Sequence, residues 1–149
     1  KAKTEEEYLV LVNEMLKESD LIIAQEFCPS DYDWRIGIID DEVFYACKYY
    51  MAKGHWQIYN WNAKKKNDQD GEAACLPVEK VPKEVLNMAL KSAKLMGKGL
   101  YGIDIKVVND KPMVIEINDN PNIDFGVEDL YYGDAIYTKI LTALKTRLE

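Results

Sequence analysis

The chain has 149 residues, of which 48% are hydrophobic and 30% are charged, and its formal net charge is −7. This length and composition predict one globular domain with a buried core. The negative charge argues against duplex nucleic acid or an anionic membrane surface as the main partner, because both attract basic surfaces, and no apolar run approaches the roughly 20 residues of a membrane-spanning helix.

The cysteines and the histidine show no metal-ligand pattern. Cys28, Cys47 and Cys75 are odd in number and widely spaced, and they form no Cys-x-x-Cys pair. We therefore expect free thiols in a cytoplasmic protein. His55 is the only histidine, which disfavours a histidine-dependent catalytic triad.

The first third of the chain predicts a helix, a strand and a hairpin. Thr4 and Glu7 have the spacing of a capping box, and apolar residues then recur at helical spacing to about Ser19. The apolar run "LIIAQEF" that follows predicts a buried strand. The stretch "DWRIGIIDDEVFYACKYY" predicts a hairpin that turns at Asp40 and Asp41.

A two-residue turn fixes which side chains share a face of this hairpin. It sets Asp33 opposite Lys48 and Arg35 opposite Ala46, on a charged face that also carries Gly37. The other face is apolar and carries Trp34, Ile36, Ile38, Val43, Tyr45, Cys47 and Tyr49. A sheet with one apolar and one charged face suits a ligand that lies across the charged side.

The rest of the chain predicts a polar loop, "NAKKKNDQDGEA", and then helix, hairpin, helix. One helix starts at Pro82 and ends at Gly97 or Gly99, "LYGIDIKVV" and "PMVIEIN" form a second hairpin, and a last helix runs from about Asp134 to Leu148. The predicted fold is α+β: a largely antiparallel sheet of two hairpins and the "LIIAQEF" strand, with helices packed on one face.

The second hairpin carries a candidate site for a divalent metal. Asp104, Glu116 and Asn118 supply carboxylate and carbonyl oxygens, which hard cations such as Mg²⁺ prefer. Asp104 lies opposite Glu116 only if the hairpin has a three-residue turn or a bulge. The alternative is that these polar residues solvate an outer sheet face. An EF-hand loop is excluded, because counting from Asn118 its glycine position is Ile123.

Arg35 is the second candidate. It is one of two arginines, and it lies in the middle of a predicted strand, where a guanidinium suits a planar anion such as phosphate or carboxylate. The alternative is an edge-strand arginine paired with Asp33.

The order of these motifs resembles a known family. "QEF", "DWR", "GIDIKVV" and "VIEINDNPN" follow one another as in the C-terminal lobe of ATP-grasp ligases, in the RimK-type and glutathione-synthetase-like branch. The resemblance implies a carboxylate–amine ligase that forms an amide through an acylphosphate, with ATP and Mg²⁺ (or Mn²⁺) as cofactors and an amino acid such as glutamate, or a peptide, as substrate. It implies that Asp104, Glu116 and Asn118 are metal ligands.

The resemblance also implies a nucleotide site. Glu26 and Phe27 match the hinge that holds adenine, Asp33 matches an acidic position that contacts the nucleotide, and Arg35 matches a catalytic arginine that faces the phosphates or the acyl group. The phosphate-contacting arginine of the family is replaced here by Gln57, and Lys48 or Lys53 is expected to compensate.

The departure from the family leaves a second function open, a degenerate ATP-grasp nucleotide-binding module without ligase activity. The chain starts with "KAKTEEE" and ends with "RLE". We expect residues 1–149 to be one domain, the C-terminal part of an ATP-grasp domain whose upstream lobe is missing, and we expect this piece alone to be inactive.

Overall fold

The computed structural model describes residues 1–148. Its helices are α1 (Glu5–Met15), α2 (Lys83–Met96) and α3 (Ala135–Thr146), and its strands are β1 (Tyr32–Ile39), β2 (Glu42–Tyr50), β3 (Ala73–Leu76), β4 (Leu100–Val108) and β5 (Lys111–Asn118). The strands form one antiparallel sheet in the order β3-β2-β1-β4-β5. The predicted α+β fold with an antiparallel sheet is confirmed, and so are the three helices.

The predicted strand "LIIAQEF" is wrong. The segment 21–27 forms no strand, and Leu21 and Ile23 are each 81% exposed. The fifth strand of the sheet is β3, which pairs with β2 and was not foreseen. Helix α1 begins as predicted, since the Thr4 hydroxyl accepts a hydrogen bond from the Glu7 N–H, but it ends at Met15 instead of Ser19.

The first hairpin turns at Asp40 and Asp41 as predicted, but it contains a bulge. Gly37 pairs with Tyr45 and Ile38 pairs with Val43, so one extra residue of β2 lies between them. An extra residue moves every later side chain to the opposite face. The predicted partners of Asp33 and Arg35 are therefore wrong, and the observed partners are Tyr49 and Cys47.

Helices pack on both faces of the sheet, which corrects the prediction of one face. One core cluster joins the β1 side chains Trp34, Ile36 and Ile38 to helix α2. The second cluster contains Ile39, Tyr45 and Cys47 together with Ile136 of α3. Because Ile38 and Ile39 are consecutive residues of a strand, they point to opposite faces.

The expectation of three free thiols is wrong for two of them. Strand β3 places Cys75 opposite Cys47, and the two residues form a disulfide, whereas Cys28 is free. Disulfides are typical of oxidising compartments. The cysteines therefore no longer support a cytoplasmic location.

None of the helices among residues 1–148 combines the length and the apolar composition that a membrane span requires.

The first hairpin turn gives a test of the fold. Asp40 and Asp41 have φ values of 50° and 67°, and a two-residue hairpin turn of type I′ needs such positive values at both positions. We expect Asp41→Gly to raise the free energy of unfolding by a few tenths to about 1 kcal/mol, and the matched variant Asp41→Val to lower it by about 1–2 kcal/mol. Urea unfolding measures both free energies. Equal changes of the same sign in the two variants would contradict the positive φ at Asp41.

Candidate functional site

A cavity of about 660 Å³ lies between one face of the sheet and the segments that cover it. The sheet contributes Asp33, Asp104, Lys106, Ile115 and Glu116. The opposite wall is formed by side chains of α1, the segment 22–28 and residues 56–59. The apolar residues that were predicted to form a strand after α1 therefore line this cavity.

The two carboxylates of the candidate metal site lie opposite each other. The second hairpin has a two-residue turn at Asn109 and Asp110 and a bulge between Asp104 and Ile105, so that Asp104 pairs with Glu116. The bulge is one of the two conditions under which the sequence predicted this pairing. It also places Ile115, the extra residue of β5, on the cavity side.

Arg35 and Asp104 form a partly buried ion pair across β1 and β4. Arg35 Nε donates to one Asp104 carboxylate oxygen and Nη2 donates to the other at 2.8 Å. The alternative pairing of Arg35 with Asp33 is thus wrong. Gly102 leaves room for Arg35, since a Cβ there would lie 3.1 Å from Arg35 Cδ and 2.8 Å from Pro121 Cβ.

Burial and ion pairing shift the pKa of each of these two groups in opposite directions. Burial alone would lower the pKa of the Arg35 guanidinium, but hydrogen bonding to Asp104 and its negative charge raise it above the ordinary value. Burial raises the pKa of Asp104, and Arg35 opposes this effect by stabilising the ionised form. Arg35 therefore stays positively charged.

A second ion pair lies in the same cavity. The Lys106 ammonium donates to Asp33 Oδ1 at 2.5 Å and to Ser30 Oγ at 2.6 Å, and the Ser30 hydroxyl donates to the same Asp33 oxygen at 3.0 Å. The side chains of Lys106 and Asp33 are each 13% exposed. Lys106 was not predicted as a site residue, although alternation along β4 places it on the side of Asp104.

The other buried contact of Arg35 leads to the segment after β5. The guanidinium carbon lies 5.4 Å from the centre of the Tyr49 ring, and the Tyr49 hydroxyl donates to Glu128. Glu128 is 1% exposed and also accepts the Asp124 N–H at 2.7 Å. Sequence patterns missed both residues, because their contacts depend on the bulge in β2 and on the path of the segment 119–133.

The predicted hinge residues Glu26 and Phe27 line the cavity that also contains Asp33, Asp104 and Glu116. The Phe27 ring meets Trp56 edge-on at 5.7 Å between ring centres. The structure thus brings five of the eight predicted site residues into one cavity, with Arg35 held behind Asp104.

Two predicted site residues, Lys48 and Asn118, are not among the residues that line the cavity. Lys48 lies on the opposite face, where its ammonium is 4.0 Å from the centre of the Tyr32 ring and 4.9 Å from that of Trp34. Asn118 pairs with Gly102, one position beyond Ile117 on β5. Among the described residues, no group of three or more His, Cys, Asp or Glu side chains is arranged to hold a metal ion.

The donor set nevertheless suits a hard cation. A carboxylate has about four lone-pair sites, and the two hydrogen bonds from Arg35 leave others of Asp104 available. Glu116 faces the same cavity and is exposed, and Mg²⁺ commonly takes only one or two protein carboxylates. Asp104 and Glu116 can therefore hold such an ion, and Asn118 lies two positions after Glu116 on β5.

The comparison with known families gives a match over nearly the whole chain. Residues 2–144 match the family model described as RimK-like ATP-grasp domain. Two curated relatives, each named probable alpha-L-glutamate ligase, come from Shewanella loihica (32% identical over 109 residues) and Nitrosococcus oceani (30% identical over 122 residues). These matches include 72% and 80% of this chain but 33% and 36% of the relatives, so the chain spans about a third of their length.

Two solved structures are similar to part of this chain. The ATP-grasp ligase PsnB, solved with a variant of its minimal precursor, Mg and ADP, is 22% identical, with a TM-score of 0.47 over 64% of this chain and 27% of PsnB. The macrocyclase MdnC with its precursor peptide MdnA, from Microcystis aeruginosa, is 21% identical, with a TM-score of 0.42 over the same shares of the two chains.

The buried tyrosines next to Arg35 give a pH-dependent test. Burial raises the pKa of the Tyr45 hydroxyl, and burial together with the hydrogen bond to Glu128 raises that of Tyr49. In the unfolded chain tyrosines ionise near pH 10, so above that pH the unfolded state releases protons that the folded state keeps. We expect the free energy of unfolding to fall as the pH rises from about 10 to 11.

The variant Tyr49→Phe isolates the contribution of one hydroxyl. The free energy of unfolding should then fall less steeply with pH, by up to about 1.4 kcal/mol per pH unit. Urea unfolding between pH 8 and 11 measures this slope. The matched control is Tyr131→Phe, whose side chain is half-exposed and whose slope should equal that of the unaltered protein. An unchanged slope in Tyr49→Phe would contradict the buried hydroxyl.

Proposed function

Because this chain belongs to the RimK-like ATP-grasp family, we propose that the protein containing it is an ATP-dependent carboxylate–amine ligase. The observation that supports this function is the shared cavity, in which the hinge segment at Glu26 and Phe27 faces the acidic residues Asp33, Asp104 and Glu116. A cavity of this size accommodates a nucleotide. We propose that ATP phosphorylates a substrate carboxylate and that an amine displaces phosphate from the resulting acylphosphate, forming an amide.

In the proposed complex, different residues of this chain bind different parts of the nucleotide. Backbone groups at Glu26 and Phe27 bind the adenine edge, and Asp33 contacts the nucleotide next to it. Asp104, Glu116 and Asn118 hold Mg²⁺ or Mn²⁺. The bound metal, when present, neutralises charge on the phosphates during transfer.

Arg35 is the proposed catalytic residue. Its ion pair with Asp104 fixes the guanidinium beside the proposed metal site, and a fixed cation there stabilises negative charge that develops on the transferred phosphoryl or acyl group. We do not assign Lys48 a role in the cavity, because it lies over Tyr32 on the other face.

The substrate proposal rests on the relatives. Both curated relatives are named probable alpha-L-glutamate ligases, so glutamate is the first amino acid to test, with a peptide as the alternative substrate. Since the chain spans a third of their length, we propose that an upstream lobe of the same protein completes the site and that this piece alone is inactive. The cytoplasmic location stays a prediction.

Two observations favour the alternative function, a nucleotide-binding module without ligase activity. Both oxygens of Asp104 accept hydrogen bonds from Arg35, and Lys48 is not available to replace the missing family arginine. In this alternative, the cavity binds a nucleotide but lacks the phosphate-contacting cation that would assist transfer of the phosphate. The two functions differ in whether phosphate release requires an amino acid.

The test follows phosphate release by the full-length protein that contains this chain. With ATP, Mg²⁺ and glutamate, a ligase releases phosphate only when the amino acid is present. We expect Glu116→Ala and Arg35→Ala to lower the rate at least about 100-fold, since each removes a charge that acts in the transition state. The matched control is Glu84→Ala, because Glu84 is an exposed carboxylate in the first turn of α2, and its rate should be unchanged.

Two outcomes would contradict the ligase. Nucleotide binding without amino-acid-dependent phosphate release, over a panel of amino acids and peptides, would favour the binding module. Full activity of Glu116→Ala would contradict the assignment of the cavity as the site of phosphoryl transfer.

A further inference from the structure

Glu128 is a buried carboxylate that does not line the cavity. Its side chain is 1% exposed, and its two oxygens accept from distant parts of the chain, Oε1 from the Tyr49 hydroxyl and Oε2 from the Asp124 N–H at 2.7 Å. A buried carboxylate costs free energy that its hydrogen bonds must offset. The question is therefore what these two contacts achieve.

The next residue of the chain provides a comparison within the same segment. Asp129 is 6% exposed, and it also accepts one backbone N–H and one tyrosine hydroxyl, from Gly126 at 2.6 Å and from Tyr137 at 3.1 Å. Both carboxylates thus hold the segment 119–133 in place. They differ in the tyrosine that they bind, because Tyr137 belongs to α3 whereas Tyr49 belongs to β2.

Tyr49 connects the buried carboxylate to the proposed catalytic arginine. The guanidinium carbon of Arg35 lies 5.4 Å from the centre of the Tyr49 ring, within the range of a cation–π attraction. The hydroxyl of the same ring donates to Glu128, which fixes the ring. Because hydrogen bonds in a connected network polarise one another, the negative charge of Glu128 also strengthens the attraction of the ring for the guanidinium.

We propose that Glu128 is a positioning residue that acts through Tyr49 and fixes the orientation of the Arg35 guanidinium. This inference rests on the proposed function, in which Arg35 stabilises charge on the transferred group. Displacing a reacting group by about 1 Å can lower the rate about 100-fold. The contact should therefore affect the chemical step and leave the binding of ATP unchanged.

The test measures two quantities on the full-length protein, kcat from amino-acid-dependent phosphate release and the affinity for ATP by calorimetry without amino acid. Glu128→Gln removes the charge and preserves the shape of the side chain. We expect it to lower kcat about 10-fold to 100-fold and to keep the ATP affinity within about twofold. The matched control is Asp129→Asn, the same chemical change in the neighbouring carboxylate, whose kcat should stay within about twofold of the unaltered protein.

A background without the arginine separates positioning from a purely structural role. In Arg35→Ala the group that Glu128 positions is absent, so adding Glu128→Gln should cause no further loss of kcat. A further loss as large as that in the unaltered background would overturn the inference. Equal losses of kcat in Glu128→Gln and Asp129→Asn would overturn it as well, since only one of the two carboxylates is connected to Arg35 through a tyrosine.

Tyr49→Phe covers the case in which Glu128→Gln does not fold. It keeps the ring and removes the hydroxyl that Glu128 holds, so it should lower kcat to a similar extent without changing the ATP affinity. Unchanged kcat in either variant would overturn the inference while leaving the ligase intact. No amino-acid-dependent phosphate release by the unaltered protein would overturn the proposed function, and this inference with it.

Discussion

The ion pair between Arg35 and Asp104 connects the two hairpins at the centre of the sheet, and the candidate site is arranged around it. Neither charge is exposed enough to be solvated by water alone, since each side chain is 14% exposed. Removing one partner of such a pair leaves an uncompensated buried charge and typically costs about 3–5 kcal/mol. The pairing of β1 with β4 is therefore fixed by electrostatics as well as by backbone hydrogen bonds.

Ion pairing also explains why the fold tolerates several acidic residues in one cavity. Asp104 is neutralised by Arg35 and Asp33 is neutralised by Lys106, which leaves Glu116 as the exposed carboxylate of the sheet wall. A divalent cation and a polyphosphate bring opposite charges in the same complex, so their combined binding changes the net charge of the cavity little. The arrangement suits a ligand that arrives together with its metal.

Sequence patterns predicted the local elements well, because capping residues, turn residues and alternation act over short distances. The turns at Asp40 and Asp41 and the glycine after α2 are examples. Predictions failed where one inserted residue changes a face, as the bulge in β2 did for Lys48. Lys106 could have been found from its spacing to Asp104, whereas Glu128 could not, because its contact with Tyr49 joins residues 79 positions apart.

The disulfide between Cys47 and Cys75 has a consequence for the outer wall of the cavity. The two cysteines are 28 positions apart, and the loop that they close carries Trp56 and Tyr59, which line that wall. In the chain-entropy description, closing a loop of this length disfavours the unfolded chain by about 3–4 kcal/mol. The redox state of the surroundings therefore sets how strongly the loop is tethered to the sheet, and a reducing solution would leave this wall held by non-covalent contacts alone.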